Sequence, residues 1–482
     1  MDSSQLRLDS KGDTPLYVQL SEAFCRLIQS GQLLPGDQLP SERKLAKSLQ
    51  VSRTTTLNAY RELEARGLVR SYVGQGTFVS GRPEDNGNAF VWQGKVTPAV
   101  QQLTANLCGL ISPHYPEHIP FGAGAPAADV FPSERYASIV HSLLTQHSHS
   151  MLSLSPSAGH PQLRDIIAQR EGVAAKQVLV SAGAQQALDL LARCLLQPHD
   201  HVVMEAPGYV GAMQSFRLSG AQLHGWDILR ADLDELEDLF LKKRPKLLYL
   251  NPSFHNPSGR TMSLEMRYAV LELARRYRVP ILEDETYRQL YFHRPPPTSF
   301  KDLEHGGVVI HVCSFAKNFA PSLRLGYVIA DEAIIEQLTR IRAQSDVACP
   351  TLSQISLAEM MHSGDFDQHV VALRREHQRR AQAMESALQR YVPSESLRWE
   401  MPQGGLYFWC HLRQGDSRSF AQHALGHQVS FAAGDIFYPN GTGLSMLRLC
   451  FARNHPEHID QGIRRIAAAL ATWAPEPIAP FR

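Results

Sequence analysis

Residues 308–327 read VVIHVCSFAKNFAPSLRLGY. The first six are apolar and mostly β-branched, the signature of a short buried strand. Lys317 then falls just past a strand end, on a loop at the rim of a sheet. A lone lysine there is most often solvated, so its meaning depends on which other strands end beside it. Outward from this stretch the same rhythm repeats. QVLVSAG (177–183) leads into AQQALDLLARCLL (184–196), and HVVMEAP (201–207) precedes GYVGAMQSFRLSG (208–220). PKLLYLNP (245–252) precedes SLEMRYAVLELARRY (263–277), and VPILEDETY (279–287) precedes the opening stretch itself. Strands alternating with helices predict an α/β fold around a mostly parallel sheet, here over residues 116–482. The larger part is expected at about 150–345 and a smaller C-terminal subdomain at about 346–482.

In such sheets ligands gather at the carboxyl ends of the strands. The residues falling there are Ser181 to Gln185, Pro207-Gly208-Tyr209, Asn251 to Gly259, Asp284 with Tyr287, and Ser314 with Lys317. Each has an ordinary explanation alone. Glu283-Asp284-Glu285 reads as a solvated acidic turn, and Tyr209 as a packed rim aromatic. Together they supply an amine, a carboxylate, a stacking ring, a phenol, an amide and a phosphate nest. Pyridoxal 5′-phosphate requires that set: a lysine for its aldehyde, a carboxylate to keep its ring nitrogen protonated, and donors for its phenolate oxygen. Its phosphate wants backbone N–H groups at a helix N-terminus and an arginine. SAGAQQ opens a helix straight after a strand, as a phosphate demands.

Residues 1–80 have a different grammar. Leu20, Phe24, Leu27 and Ile28 fall at helical spacing. Ser41 caps a second helix with Leu45 and Leu49 inward, and Ser52 caps a third with Leu57, Tyr60 and Leu63 inward. LVRSY (68–72) and TFV (77–79) flank VGQG as a hairpin. Three helices and a hairpin make a winged helix-turn-helix. Between residues 40 and 80 there are seven Lys/Arg (43, 44, 47, 53, 61, 66, 70) and three Glu (42, 62, 64), a local +4 hidden in a global net charge of +1. The third helix opens on Ser52, Arg53, Thr54, Thr55 and Thr56, short donors suited to phosphates and base edges. The expected partner is double-stranded DNA. GRPEDNGNAF (81–90) opens a flexible linker expected over 81–115.

The bulk numbers exclude other classes. At 482 residues, 43% hydrophobic and 20% charged, the chain fits a soluble multidomain protein. The seven cysteines (25, 108, 194, 313, 349, 410, 450) are scattered, with no C-x-x-C, which fits reduced thiols and a cytoplasmic location. The N-terminus has no apolar h-region, so no signal peptide is expected. No apolar run is long enough to span a bilayer. The histidines of QHSHS (146–150) and HDH (199–201) lack nearby partner ligands, so no metal site is expected.

PLYVQL…SGQLLPGDQLPSERKLAKSLQVSRTTTLNAYRELEARGLV…GQGTFV resembles the GntR family of bacterial regulators across nearly the whole first domain. The resemblance implies DNA contacts by Arg43, Ser52, Arg53, Thr54 and Thr55, with Gly76 and Thr77 at the wing. Gln50 replaces the glycine usual before V-S-R. From about residue 119, NPSFHNPSGRTMS, EDETY and SFAKNFAPSLRLGY resemble the fold-type I aminotransferases of class I/II. That resemblance implies Lys317 as the Schiff-base lysine, Asp284 on the pyridine nitrogen, Tyr287 and Asn256 at the phenolate oxygen, and Tyr209 stacked on the ring. It puts Ala184, Gln185, Ser314 and Arg324 on the phosphate, Arg448 on a substrate α-carboxylate, and Gly124 nearby. Leu154 stands where the family has a tyrosine, and Ala316 and Ser322 replace its usual serine and glycine. A GntR-type reader fused to an aminotransferase-like domain is the layout of the MocR regulators. The expectation is a homodimeric transcription regulator that holds pyridoxal phosphate and senses it, an amino compound, or both. A working aminotransferase with a DNA-binding appendage and a pure vitamin B6 sensor are the alternatives.

Overall fold

The computed structural model describes residues 14–29, 32–33, 36–72, 76–80 and 117–474, together with residues 8, 97 and 100. The chain divides into two compact units, Met1–Gln102 and Leu103–Arg482. Apart from residues 97 and 100, the linker expected over 81–115 lies outside the described residues, as do residues 73–75 of the wing tip.

The first unit holds α1 (Leu16–Gln29), α2 (Glu42–Leu49), α3 (Arg53–Ala65), β1 (Val69–Tyr72) and β2 (Gly76–Val79). The caps fall where the short polar residues stand. Ser41 Oγ accepts from the Lys44 amide and Ser52 Oγ from the Thr55 amide, each satisfying an N–H the helix leaves free. Leu20, Phe24, Leu45, Tyr60 and Leu63 form the core with Val69 and Val79. Val69 and Val79 are also opposite each other in the antiparallel hairpin. Leu57, expected inward, is only half-buried; Thr56 and Ala59 occupy the inward positions instead. The Thr56 hydroxyl donates to the Glu42 and Arg53 carbonyls, so it ties α3 to the start of α2.

The second unit is built on a seven-stranded sheet of order β4-β10-β9-β8-β7-β5-β6. Its strands are β4 (Val178–Ser181), β5 (His201–Ala206), β6 (Gln222–Asp227), β7 (Leu247–Leu250), β8 (Ile281–Asp284), β9 (Val309–Ser314) and β10 (Gly326–Ile329). All neighbours are parallel except β10, which runs antiparallel to both β4 and β9. β4, β7, β8 and β9 are buried along their whole length, which is why β4, β7 and β9 read as largely apolar runs, while β8 also buries Glu283 and Asp284. A second, four-stranded sheet of order β11-β12-β15-β14 comprises β11 (Leu397–Trp399), β12 (Tyr407–Leu412), β14 (Ala432–Ala433) and β15 (Met446–Cys450). Beside it, β3 (Ile119–Pro120) pairs in parallel with β13 (Val429–Ser430). The first described residues of this unit thereby join its C-terminal core. The helix Asp365–Tyr391 spans both cores: Phe366 and Val370 pack with the seven-stranded sheet, Leu373 to Leu388 with the four-stranded one. No described helix is long and apolar enough to cross a membrane.

Candidate functional site

On the first unit, Arg43, Ser52, Arg53 and Thr54 are exposed, Thr55 and Thr77 half-exposed and Gly76 exposed. Arg53 projects from the first turn of α3, 74% exposed, with a loose 3.4 Å contact to Glu42. An exposed pair of that kind contributes under about 1 kcal/mol, so the guanidinium is free to exchange Glu42 for a phosphate or base. Gln50, between α2 and α3, has φ 56° and ψ 37°, the left-handed conformation that glycine adopts without strain. The turn therefore survives the missing glycine, at a local cost.

On the second unit, the strand ends enclose a cavity lined by Gly183, Ala184, Gln185, Tyr209, Asn251, Asp284, Thr286, Tyr287, Ser314, Ala316, Lys317 and Arg324. At one end lies the helix Ala184–Leu195, whose N-cap is Gly183, with no side-chain cap on its free N–H groups. Gly183 has φ +85°, and a Cβ there would stand 3.3 Å from Arg324 Nη2. Glycine thus keeps a cradle open between backbone donors and a guanidinium, the arrangement a phosphate fits. Arg324 itself is exposed and donates to the Ala182 carbonyl at 2.9 Å.

Asp284 is buried. Burial raises its pKa, while bonds to its carboxylate from Thr286 (backbone N 3.1 Å, Oγ1 2.6 Å) and Tyr249 Oη (2.9 Å) favour the charged form. Its flanks are not a solvated turn. Glu283 accepts from the Phe300 and Lys301 amides and contacts His311 at 2.9 Å. Glu285 pairs with Arg267 at 3.1 Å and Ser253 at 2.9 Å. All three carboxylates are under 5% exposed, so the acidic triplet is a buried girder that fixes where Asp284 points. Lys317 Nζ donates to the Gly124 carbonyl at 2.6 Å, and burial brings its ammonium down to about 8. Tyr209 donates to Gln185 Oε1 at 3.0 Å, and Gln185 Nε2 is anchored on Gly211 and Ser215.

Asn256 joins this cavity to Arg448. Its Nδ2 donates to Tyr287 Oη at 3.3 Å and its Oδ1 accepts from Arg448 Nη1 at 2.7 Å. Arg448 also donates to the Gly122 carbonyl at 2.5 Å, and its guanidinium faces the Tyr407 ring at 4.2 Å and the Phe437 ring at 4.8 Å. Its Nε is buried without a protein partner. A desolvated, oriented guanidinium in such surroundings favours a carboxylate. The sequence-named residues Gly124, Asn251, Asn256 and Arg448 therefore line or adjoin the cavity, and Thr286, Tyr249 and Tyr407 complete a set the sequence only half exposed. Leu154 is 82% exposed and Ser322 exposed, whereas Ala316 lines the cavity. Among the described residues no group of three His, Cys, Asp or Glu is placed to hold a metal.

Comparison with known proteins agrees with both halves. The family model for aminotransferase class I and II matches residues 116–466, and that for bacterial regulatory proteins of the gntR family matches 16–79. A 2-aminoadipate transaminase of Thermus thermophilus is 35% identical over 361 residues, covering 74% of this chain and 90% of the relative. The uncharacterized HTH-type transcriptional regulator YisV of Bacillus subtilis is 29% identical over 97% of this chain and 98% of its own length. The crystal structure of LysN, an α-aminoadipate aminotransferase of Thermus thermophilus complexed with N-(5′-phosphopyridoxyl)-L-leucine, superposes with a TM-score of 0.74. It is 32% identical and covers 79% of this chain and 98% of its own. The chain belongs to the class I and II aminotransferases and carries a gntR-type domain ahead of that fold, which makes it a DNA-binding transcription regulator of the MocR type.

Proposed function

We propose that this regulator binds pyridoxal 5′-phosphate through Lys317 and responds to the cofactor, to an amino compound, or to both. The carrying observation is the convergence, around one cavity, of an amine softened by burial, a hydrogen-bonded buried carboxylate and a glycine-lined helix N-terminus beside Arg324. When bound, the cofactor supplies an aldehyde that captures amines and a protonated ring that draws electrons from them. The residues of the chain divide the remaining work. Asp284, held by Thr286 and Tyr249, keeps the ring nitrogen protonated. Tyr209, which lines the cavity, would offer its aromatic face to the cofactor ring. The N–H groups of Ala184 and Gln185, with Ser314 and Arg324, take the phosphate. Lys317, whose ammonium burial brings down to about 8, offers a lone pair at Nζ in a larger fraction of molecules at physiological pH than a solvated lysine does. Arg448 orients an incoming carboxylate.

The protein is proposed to act in the cytoplasm as a homodimer, with Arg43, Ser52, Arg53, Thr54, Thr55, Gly76 and Thr77 on DNA. Two winged domains in one assembly can engage two half-sites, and avidity then raises affinity without new contacts. Sedimentation is expected to give a dimer; a stable monomer that holds the cofactor contradicts this. A second reading, an active aminotransferase, is supported by the intact trio Lys317, Asp284 and Arg448 and by the 2-aminoadipate transaminase relative.

The decisive test is spectral. Purified protein loaded with pyridoxal phosphate is expected to be yellow, and borohydride is expected to fix the cofactor on Lys317. Lys317→Ala is expected to be colourless. A variant that keeps the colour and a reducible link contradicts the assignment.

A further inference from the structure

Three contacts converge on Tyr407, a residue on β12 that is 2% exposed. Its ring lies against the Arg448 guanidinium at 4.2 Å. Its hydroxyl stands 3.1 Å from that of Tyr287, the two rings meeting edge-on at 5.8 Å. The same hydroxyl fills the space that a Cβ on residue 124 would need, and the Gly124 carbonyl accepts from Lys317. Tyr407 therefore touches the carboxylate grip, the cavity phenol and the residue that anchors the cavity amine. The titratable groups acting on it come from three elements: Arg448 and Cys450 on β15, Tyr287 after β8, and Tyr209 before the helix Val210–Leu218.

A proton count gives this contact a direction. Tyr287 has one O–H to donate and already accepts from Asn256 Nδ2. When the cavity presents no acceptor, Tyr287 can donate to Tyr407. When an anionic oxygen sits in the cavity, Tyr287 donates to it, and Tyr407 must turn its own proton onto Tyr287. A phenol that accepts two hydrogen bonds is a stronger donor than one that accepts a single bond. We propose that Tyr407 is a positioning residue that couples the carboxylate grip to the cofactor cavity: its ring orients Arg448, and its hydroxyl sets the donor strength of Tyr287. The proposal rests on pyridoxal phosphate occupying the cavity.

The test uses full-length wild type, Tyr407→Phe and Tyr407→Leu, each loaded with pyridoxal phosphate. Two quantities are read. One is the pH midpoint of the bound cofactor's visible band. The other is the ratio of dissociation constants for L-leucine and for 3-methylbutylamine, which differs only by the missing carboxylate. Tyr407→Phe keeps the ring and is expected to raise the midpoint by about half a pH unit or more, because a weaker donor stabilises the deprotonated form less. Its preference for leucine stays within about threefold of wild type. Tyr407→Leu is expected to lose that preference roughly tenfold as well, since the guanidinium loses its aromatic face. An unshifted midpoint in Tyr407→Phe overturns the role of the hydroxyl. Unchanged selectivity in Tyr407→Leu, or a wild type that binds leucine no better than the amine, overturns the role of the ring. A wild type that takes up no cofactor overturns the cofactor reading itself, and this proposal with it.

Discussion

Lys317 shows how a residue acquires chemistry from its surroundings. In water its ammonium would hold its proton past pH 10; here the half-buried side chain is desolvated, which brings it down to about 8. Only the neutral amine attacks an aldehyde, so loading of cofactor-free protein is expected to speed up as pH rises from 6 to 9, with a midpoint about 8. A rate flat across that range, measured by stopped-flow absorbance, contradicts the depressed value. The sign for stability follows from the same shift. The unfolded chain binds the proton more tightly than the folded one, so this group's cost to folding is present below about 8 and fades as pH rises above it. The residues that define the cavity were legible because they cluster in five short stretches at strand ends. Tyr249 was not, because a tyrosine inside LLYL reads as packing, and only the fold shows its hydroxyl 2.9 Å from Asp284. Tyr407 was hidden for the same reason, inside an apolar strand more than a hundred residues from Tyr287.

At the scale of elements, the turn between α2 and α3 carries two predictions. Gln50 is held at φ 56°, which costs a side-chain-bearing residue roughly 1–2 kcal/mol. Glycine relieves this but is looser in the unfolded chain, so Gln50→Gly is expected to stabilise the first unit by no more than about 1 kcal/mol. Destabilisation in a thermal melt of the full-length protein contradicts this account of the turn. Arg53, exposed at the first turn of α3, is expected to contact phosphate or a base edge. Arg53→Ala should weaken operator binding by about 1–3 kcal/mol, and wild-type affinity should fall steeply with salt. Unchanged binding in a mobility-shift assay removes α3 from that role. Buried parallel strands announced themselves as apolar runs, but two strands did not. β6, QLHGWD, lies at the sheet edge and is mostly half-buried, so its polar residues dilute the signal. β10 starts inside the decisive stretch itself, two residues past the turn at Arg324, and its antiparallel pairing has no α-helix to mark it. Nor does any local pattern betray β3, whose partner β13 lies about three hundred residues away.

For the whole molecule, a small ligand changes DNA binding only through its differential affinity for two arrangements of the protein. A tenfold change in operator affinity needs only about 1.4 kcal/mol of such coupling. Sustained transamination demands more: proton shuttling at Lys317, product release and a second half-reaction with a keto acid. Selection on a regulator does not maintain those steps. Leu154, Ala316 and Ser322 stand where the resemblance implies tyrosine, serine and glycine, while Lys317, Asp284 and Arg448 match it. Arg448→Ala is accordingly expected to keep the cofactor and lose its response to carboxylated amines. The most direct test measures operator affinity and cofactor absorbance together, in one titration of the loaded protein with a panel of amino acids and amines, with 2-oxoglutarate present. The predicted result is a spectral shift and a matched change in DNA affinity for at least one amine, absent in Lys317→Ala, with keto-acid product limited to about one turnover. Rapid multiple turnover with operator affinity unmoved would contradict the account and make the protein an enzyme first.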